Sequence, residues 1–158
     1  MKDILSKLEL SGAEREEALN MCRKIVSSWG LKLPEFDVSP LHFGLNDFYH
    51  IGEIEFNINN NVKEGYCGKF IFMFKNQICP MHFHRKKHET FFIVKGKVEM
   101  KLPDKTVVLK QGDVLPISQE TKHEFKALED SLILESSKPD LVDDSIFDDE
   151  RINRIIFG

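Results

Sequence analysis

Residues 79–96 read CPMHFHRKKHETFFIVKG, and this stretch decides what the rest of the chain has to build. His82 and His84 are two positions apart, so on an extended strand their side chains leave the same face. Glu89 comes five positions after His84, an odd spacing that on one straight strand would put it on the opposite face. The basic run Arg85-Lys86-Lys87-His88 must therefore bend the chain and bring Glu89 back. His123 must arrive from a separate strand. Three imidazoles and a carboxylate are ready-made ligands for a divalent metal. A β-barrel closing around one point brings such a set together. Four of the six histidines (His82, His84, His88 and His123) fall within 42 residues, which favours a metal site over unrelated surface or core histidines. His88 directly precedes Glu89 and should point away from it on an extended segment, so it is expected not to be a ligand.

The flanking sequence reads as strands. The segment 47–58 contains the alternating run IGEIEFNI, and the Asn59-Asn60-Asn61 cluster is a turn signal. In GKFIFMFK, residues 68–75, Phe70, Phe72 and Phe74 share one face and Ile71 and Met73 the other. Further strands are expected at 80–84, 89–95, 97–102, 106–110, 114–118, 122–127 and 131–136, with turns at Gly96, Pro103–Lys105 and Gln111–Asp113. Many short strands at this spacing predict an all-β sandwich or barrel. Strands 70–74 and 90–94 are apolar on both faces. That suits a barrel wall whose outer side meets a sheet, a helix or a second subunit. Tyr66 and Phe91 are candidates to line the interior.

Residues 1–30 have a helical pattern. Ser11 and Glu14 form a capping-box sequence, Leu19, Cys22, Val26 and Trp29 follow at helical spacing, and Gly30 supplies the stop. Pro34 and Pro40 make the next stretch an extended linker. The tail 138–158 is acidic, yet Phe147, Ile152, Ile155, Ile156 and Phe157 suggest that it docks. The expected organisation is a single domain over 1–158: a helical extension and linker over 1–46, the barrel over 47–136 and the docked tail over 137–158.

A net charge of −4 gives no sign of a nucleic-acid groove. The chain has no run of apolar residues long enough to span a membrane and no signal-peptide pattern at its start. Cys22, Cys67 and Cys79 are odd in number and widely spaced, as expected of reduced thiols in a cytoplasmic protein.

The spacing resembles that of the cupin superfamily, whose first motif reads G-x5-H-x-H-x4-E-x6-G. His82, His84, Glu89 and Gly96 fall on it without a gap, and Asn76 stands for the leading glycine. Asn is the residue that next best tolerates a left-handed turn. The second motif, G-x5-P-x-G-x2-H-x3-N, is matched by Gly112 and His123, with Ser118, Glu120 and Ala127 in place of its Pro, Gly and Asn. The resemblance implies a cupin double-stranded β-helix, or jelly-roll barrel, with an N-terminal helical segment. It also implies a divalent metal on His82, His84, Glu89 and His123. Small cupins often dimerise through a barrel face, which implies a homodimer here.

Within the superfamily, PMHFHRKKHE looks most like the D-lyxose isomerase family of aldose–ketose isomerases. Lys87 between the second His and the Glu, Glu135 in LILESS, and the tail DLVDDSIFDDERI carry that narrower resemblance. It implies an aldose–ketose interconversion of D-lyxose/D-xylulose type by enediol proton transfer, with Mn²⁺ as the metal and Fe²⁺, Co²⁺, Ni²⁺ or Zn²⁺ as substitutes. Glu135 is then the candidate catalytic base, and Lys87 the proton donor or enediolate stabiliser. A dry pocket should raise the carboxyl's pKa and lower the lysine's. The partner is a small sugar. Two other functions fit the same four ligands: an Fe(II) cupin dioxygenase, in which Lys87 and Glu135 have no obvious task, and a non-catalytic metal-dependent sugar-binding cupin.

Overall fold

The computed structural model describes residues 2–158. Two helices come first, α1 (Lys2–Leu8) and α2 (Gly12–Ser28). The strands β1 (Val38–Leu41), β2 (Glu53–Asn61), β3 (Tyr66–Met73), β4 (Ile78–His84), β5 (Glu89–Lys95) and β6 (Lys97–Lys101) follow. They are succeeded by β7 (Thr106–Lys110), β8 (Val114–Ile117), β9 (His123–Ala127), β10 (Ser131–Ser137) and β11 (Ser145–Phe147), and α3 (Glu150–Phe157) closes the chain. The strands make two antiparallel sheets facing each other, in the orders β1-β2-β3-β10-β5-β8 and β11-β4-β9-β6-β7. This is the all-β jelly-roll barrel expected from the sequence, with helices at its ends. Among the described residues no helix is long and apolar enough to cross a membrane.

Strand β3 shows how the pattern becomes packing. Its Ile71 and Met73 join Ile93, Val98, Met100, Phe125 and Ile133 in the core between the sheets. Phe72, with Phe74 just beyond the strand, packs on the other side against Ala18, Leu19, Cys22 and Val26 of α2. The doubly apolar strand is therefore a wall between two cores, and α2 covers part of its outer side. Strand β2 is built the other way round. Its apolar Ile54 and Phe56 face the helix, so Glu53, Glu55 and Asn57 face the lumen.

Four local expectations are corrected. Residues 1–30 form two helices, because Glu9 pairs with Leu41 in a β-bridge and Leu10 N–H donates to the Pro40 carbonyl. Ser11 is the N-cap residue of α2, but its side chain makes no capping hydrogen bond, so the capping box does not form. The segment expected as an extended linker contains β1, which pairs with β2. Asn59–Asn61 continue β2, paired with Gly68, Cys67 and Tyr66, and the turn lies over residues 62–65. The acidic tail contributes β11 to the second sheet, and α3 buries Ile152 and Ile156.

The turn residues behave as the motif spacing requires. Gly96 (φ 85°) leads from β5 into β6, and a Cβ there would run into Asp130 and Ser131. Asn76 has φ 75° and Glu120 φ 60°, both left-handed, at the two motif glycine positions where this chain has another residue. For Glu this conformation costs about 1–2 kcal/mol, while glycine has its own entropic cost of about 0.5–1 kcal/mol. Glu120→Gly is accordingly expected to stabilise the protein by up to about 1 kcal/mol, a rise of about 2–4 °C in Tm for a chain of this size. A thermal melt checks it, and an unchanged or lower Tm would contradict it.

Candidate active site

The second sheet supplies three of the four clustered ligands. His82 and His84 project from β4, and His123 opens β9 directly opposite His82. Glu89 opens β5 in the facing sheet. The bend that brings Glu89 back is clamped by the tail. The Asp144 carboxylate accepts hydrogen bonds from the Lys86 and Lys87 backbone N–H groups at 2.8 and 2.9 Å. Arg85, Lys86 and His88 point to solvent, whereas Lys87 turns inward and is buried.

The four side chains are all buried, and one ligand atom from each lies within 4.8 Å of the others. The imidazoles are oriented from behind. His82 Nδ1 is 2.8 Å from the Pro80 carbonyl and His123 Nδ1 is 2.9 Å from that of Thr121, so both rings carry their proton on Nδ1 and leave the Nε2 lone pair inward. His84 Nδ1 is 3.2 Å from Ser145 Oγ on β11, and Phe147 stacks on His82 at 5.1 Å between ring centroids. Glu89 Oε1 is 2.7 Å from His123 Nε2, yet the two are not aligned as a hydrogen bond, and both are buried without a partner. Two acceptors this close without a shared proton, in a set of three imidazoles and a carboxylate, fit a divalent cation between them. Burial, reinforced by the neighbouring imidazoles, holds His82 well below its usual pKa, and burial also lowers His84. Burial works against an ionised Glu89, but Lys87 and the neighbouring imidazoles outweigh it and hold its pKa well below normal. Neutral imidazoles beside an ionised carboxylate are the protonation states that a cation needs.

Beside this cluster lies a web of charges. Lys87 Nζ is 2.7 Å from Glu135 Oε1, 3.1 Å from Asp140 Oδ1 and 3.2 Å from Glu89 Oε2. Lys69, fully buried on β3, reaches Asp140 at 2.9 Å, Glu55 at 3.0 Å and Glu135 at 3.7 Å. Burial pushes Glu135 up to about 7 in spite of the two lysines. The expected fall in the pKa of Lys87 is corrected. Burial does favour the neutral amine, but Glu135 and Asp140 outweigh it, and Lys87 stays a cation well above the usual lysine range. A cavity of about 290 Å³ joins these groups, lined also by Glu53, Glu55, Cys79 and Phe91. Tyr66 lies outside it, exposed and hydrogen-bonded to Asn59. The three cysteines are free and buried. Burial and Glu53 push the Cys79 thiol well above its normal pKa, and burial pushes Cys22 up to about 12, which leaves neither as a nucleophile.

The sequence reading missed Lys69, Glu55 and Asp140. Parity was the available signal: Lys69 is two positions from Ile71 and four from Met73, the inward set of β3. A lysine on that face has to meet carboxylates. Asp140 had no local signal, because it belongs to an acidic tail whose other members are mostly on the surface.

Two facing sheets enclose the four candidate ligands, and residues 70–135 match the family model described as a cupin domain. The chain carries a cupin domain over these residues. It is 29% identical to a D-lyxose ketol-isomerase from Thermofilum sp. (strain ex4484_79), over 93% of this chain and 96% of that protein. Among solved structures, the L-ribose isomerase of Acinetobacter sp. DL28 in complex with L-ribose superposes with a TM-score of 0.77 at 14% identity, covering 96% of this chain and 97% of that one. The L-ribose isomerase of Cellulomonas parahominis with L-psicose gives 0.75 at 15% identity, over 96% and 98%. These structural likenesses extend through the helices and the tail. A smaller cupin, KdgF from Halomonas sp., overlaps only 58% of this chain, with a TM-score of 0.53 at 21% identity.

Proposed function

We propose that this protein is a metal-dependent aldose–ketose isomerase of D-lyxose/D-xylulose type, working by enediol proton transfer. One observation carries the reading: a buried carboxyl poised near neutrality, Glu135, shares the lysine Lys87 with the candidate ligand Glu89 in one cavity. The relative that is a D-lyxose ketol-isomerase supports the same chemistry. His82, His84, Glu89 and His123 would hold the cation; this donor set accepts several divalent metals, and we take it to be Mn²⁺, as the sequence resemblance implies. When bound, the cation supplies Lewis-acid stabilisation of the oxygens that become negative.

The chain's own residues do the rest. Glu135 removes the proton from C2 of an open-chain aldose. The C2–H electron pair forms the C1–C2 double bond, and the carbonyl pair moves onto O1. Glu135 then returns the proton to C1 while the O2 proton passes to O1, which gives the ketose. Lys87, a permanent cation, stabilises the charge of the enediolate and holds Glu135 in place; its high pKa removes it as proton donor. Asp144 keeps Lys87 turned inward. The β11 strand, with Phe147 on His82, covers the site on the tail side.

The test is exchange at C2 in D₂O with the metal-loaded protein and a panel of lyxose, xylulose, mannose and fructose, followed by NMR. Deuterium uptake with aldose–ketose conversion is expected. Absence of exchange across the panel from metal-loaded protein would sink the isomerase reading.

We also place the protein in the cytoplasm, on its three free buried thiols, and as a homodimer. Phe70, Leu134, Phe92 and Val114 lie in one row across β3, β10, β5 and β8, on the outer side of the first sheet. Phe92 and Val114 remain exposed, beyond the part covered by α2. A second copy laid on this row would bury it. Light scattering at micromolar protein should give twice the chain mass, and a clean monomer mass would contradict it.

A further inference from the structure

The lumen has a second polar pole that the proton transfer does not use. Glu53 and Glu55 both face inward from β2 and line the same cavity as the ligand cluster. The two carboxyl groups are neighbours on that face, two positions apart on β2, and the Cys79 thiol lines the cavity beside them. Glu53 is 3% exposed, and its Oε2 is buried with no partner. A buried carboxyl oxygen left unpaired is costly, and folding alone gives no reason to keep one facing a cavity. Burial, and the charge of Glu55, push the Glu53 pKa well above the normal range, so Glu53 can donate as a carboxylic acid while its unpaired Oε2 accepts.

The pole stands at a distance from the ligands. In the sheet order β2-β3-β10-β5 it is three strand steps from Glu89, about 14 Å around the wall at the usual strand spacing of about 4.8 Å. Across the lumen the path is shorter, because the wall curves and the side chains point inward. The ion pairs Glu55–Lys69–Glu135–Lys87–Glu89 span that path. Lys69 and Lys87 are the lysines lining the cavity, and both are already matched with carboxylates.

We propose that the Glu53–Glu55 pair is the specificity-determining pole of the cavity, taking the terminal hydroxyl of an open-chain sugar whose carbonyl end lies at the ligand cluster. This rests on the isomerase reading for the orientation of the sugar. A hydroxyl suits the pair because it can donate to the unpaired Oε2 of Glu53 and accept from a protonated carboxyl at once. A terminal phosphate or carboxylate would meet two carboxyl groups and no free cation, and is rejected.

The experiment compares wild type with Glu53→Gln and Glu55→Gln, all loaded with Mn²⁺, on an aldopentose and its 5-deoxy analogue. Binding of the pentitol and its terminal deoxy form is measured alongside by calorimetry. Wild type is expected to prefer the hydroxylated sugar by about 10–100-fold in kcat/KM, the cost of leaving a buried carboxyl without its hydrogen-bond partner. Each variant should shrink that preference to within a few-fold, through KM rather than kcat, with metal content and Tm kept close to wild type. The calorimetric preference should fall in parallel. An active wild type whose preference is unchanged in both variants overturns the proposal and leaves the isomerase reading standing. A wild type that turns over no sugar but binds the pentitol with a preference dependent on Glu53 overturns the isomerase reading and supports the pole. Variants that lose metal or melt far below wild type assign the pair to the structure of the barrel and overturn the proposal.

Discussion

Glu135→Gln is expected to lower kcat by about 10²–10⁴-fold, the usual worth of a positioned general base, while the metal content stays at the wild-type level. The amide keeps the volume of the carboxyl and can still accept a hydrogen bond from Lys87, now 2.7 Å from Glu135 Oε1. It cannot take a proton from C2, so the chemical step should fall and KM should change little. The same base fixes the pH dependence. Glu135 has its pKa raised to about 7, so it is protonated and inactive below that pH and ionised above it. A bound cation favours the ionised form and moves the limb down. Wild-type kcat should therefore drop about tenfold per pH unit on the acid side of a limb at or below about pH 7, and the residual rate of Glu135→Gln should lack that limb. A variant within a few-fold of wild type would remove Glu135 from the base role, and a limb that persists in it would belong to another group.

Most of the candidate site could be read from the sequence, because it depends on spacing. His82 and His84 share a face by the two-residue period of a strand, and the motif spacing brings Glu89 and His123 to them. The alternation in residues 70–74 anticipated a wall with a core on each side. The misses share a different cause: they depend on partners far along the chain. Strand β1 includes Pro40 and is defined by its pairing with β2. Strand β11 has three residues and exists because β4 offers an edge. The helix break at 9–11 follows from Leu10 donating to Pro40, which local propensity does not encode. The direction of the Lys87 pKa failed for the same reason. Burial alone would lower it, but Asp140 arrives from the tail, 53 positions away, and with Glu135 reverses the sign.

Removing the metal should have the largest effect of all. Glu89 Oε1 and His123 Nε2 are buried 2.7 Å apart without a hydrogen bond, so the unfilled cluster keeps two uncompensated polar atoms in the core. A cation at about 100 to 1,000 times its Kd adds about 2.7–4.1 kcal/mol to folding. At about 2–4 °C per kcal/mol for this size, chelation should lower Tm by about 5–16 °C. Activity should fall with it, since Lewis-acid stabilisation contributes several kcal/mol to such a transition state, about 10³-fold or more in rate. Both should return on adding Mn²⁺, and the comparison with Fe²⁺, Co²⁺, Ni²⁺ and Zn²⁺ identifies the preferred ion. His123→Ala should behave as the chelated protein does and should not respond to added metal. Ser145→Ala, which removes only the group behind His84, should weaken metal binding by about 10–100-fold and be rescued by excess metal. The contrast separates a ligand from a residue that orients one. Tm and activity both indifferent to chelation, with no metal found in the purified protein, would mean that the four side chains are a packed polar cluster and not a metal centre.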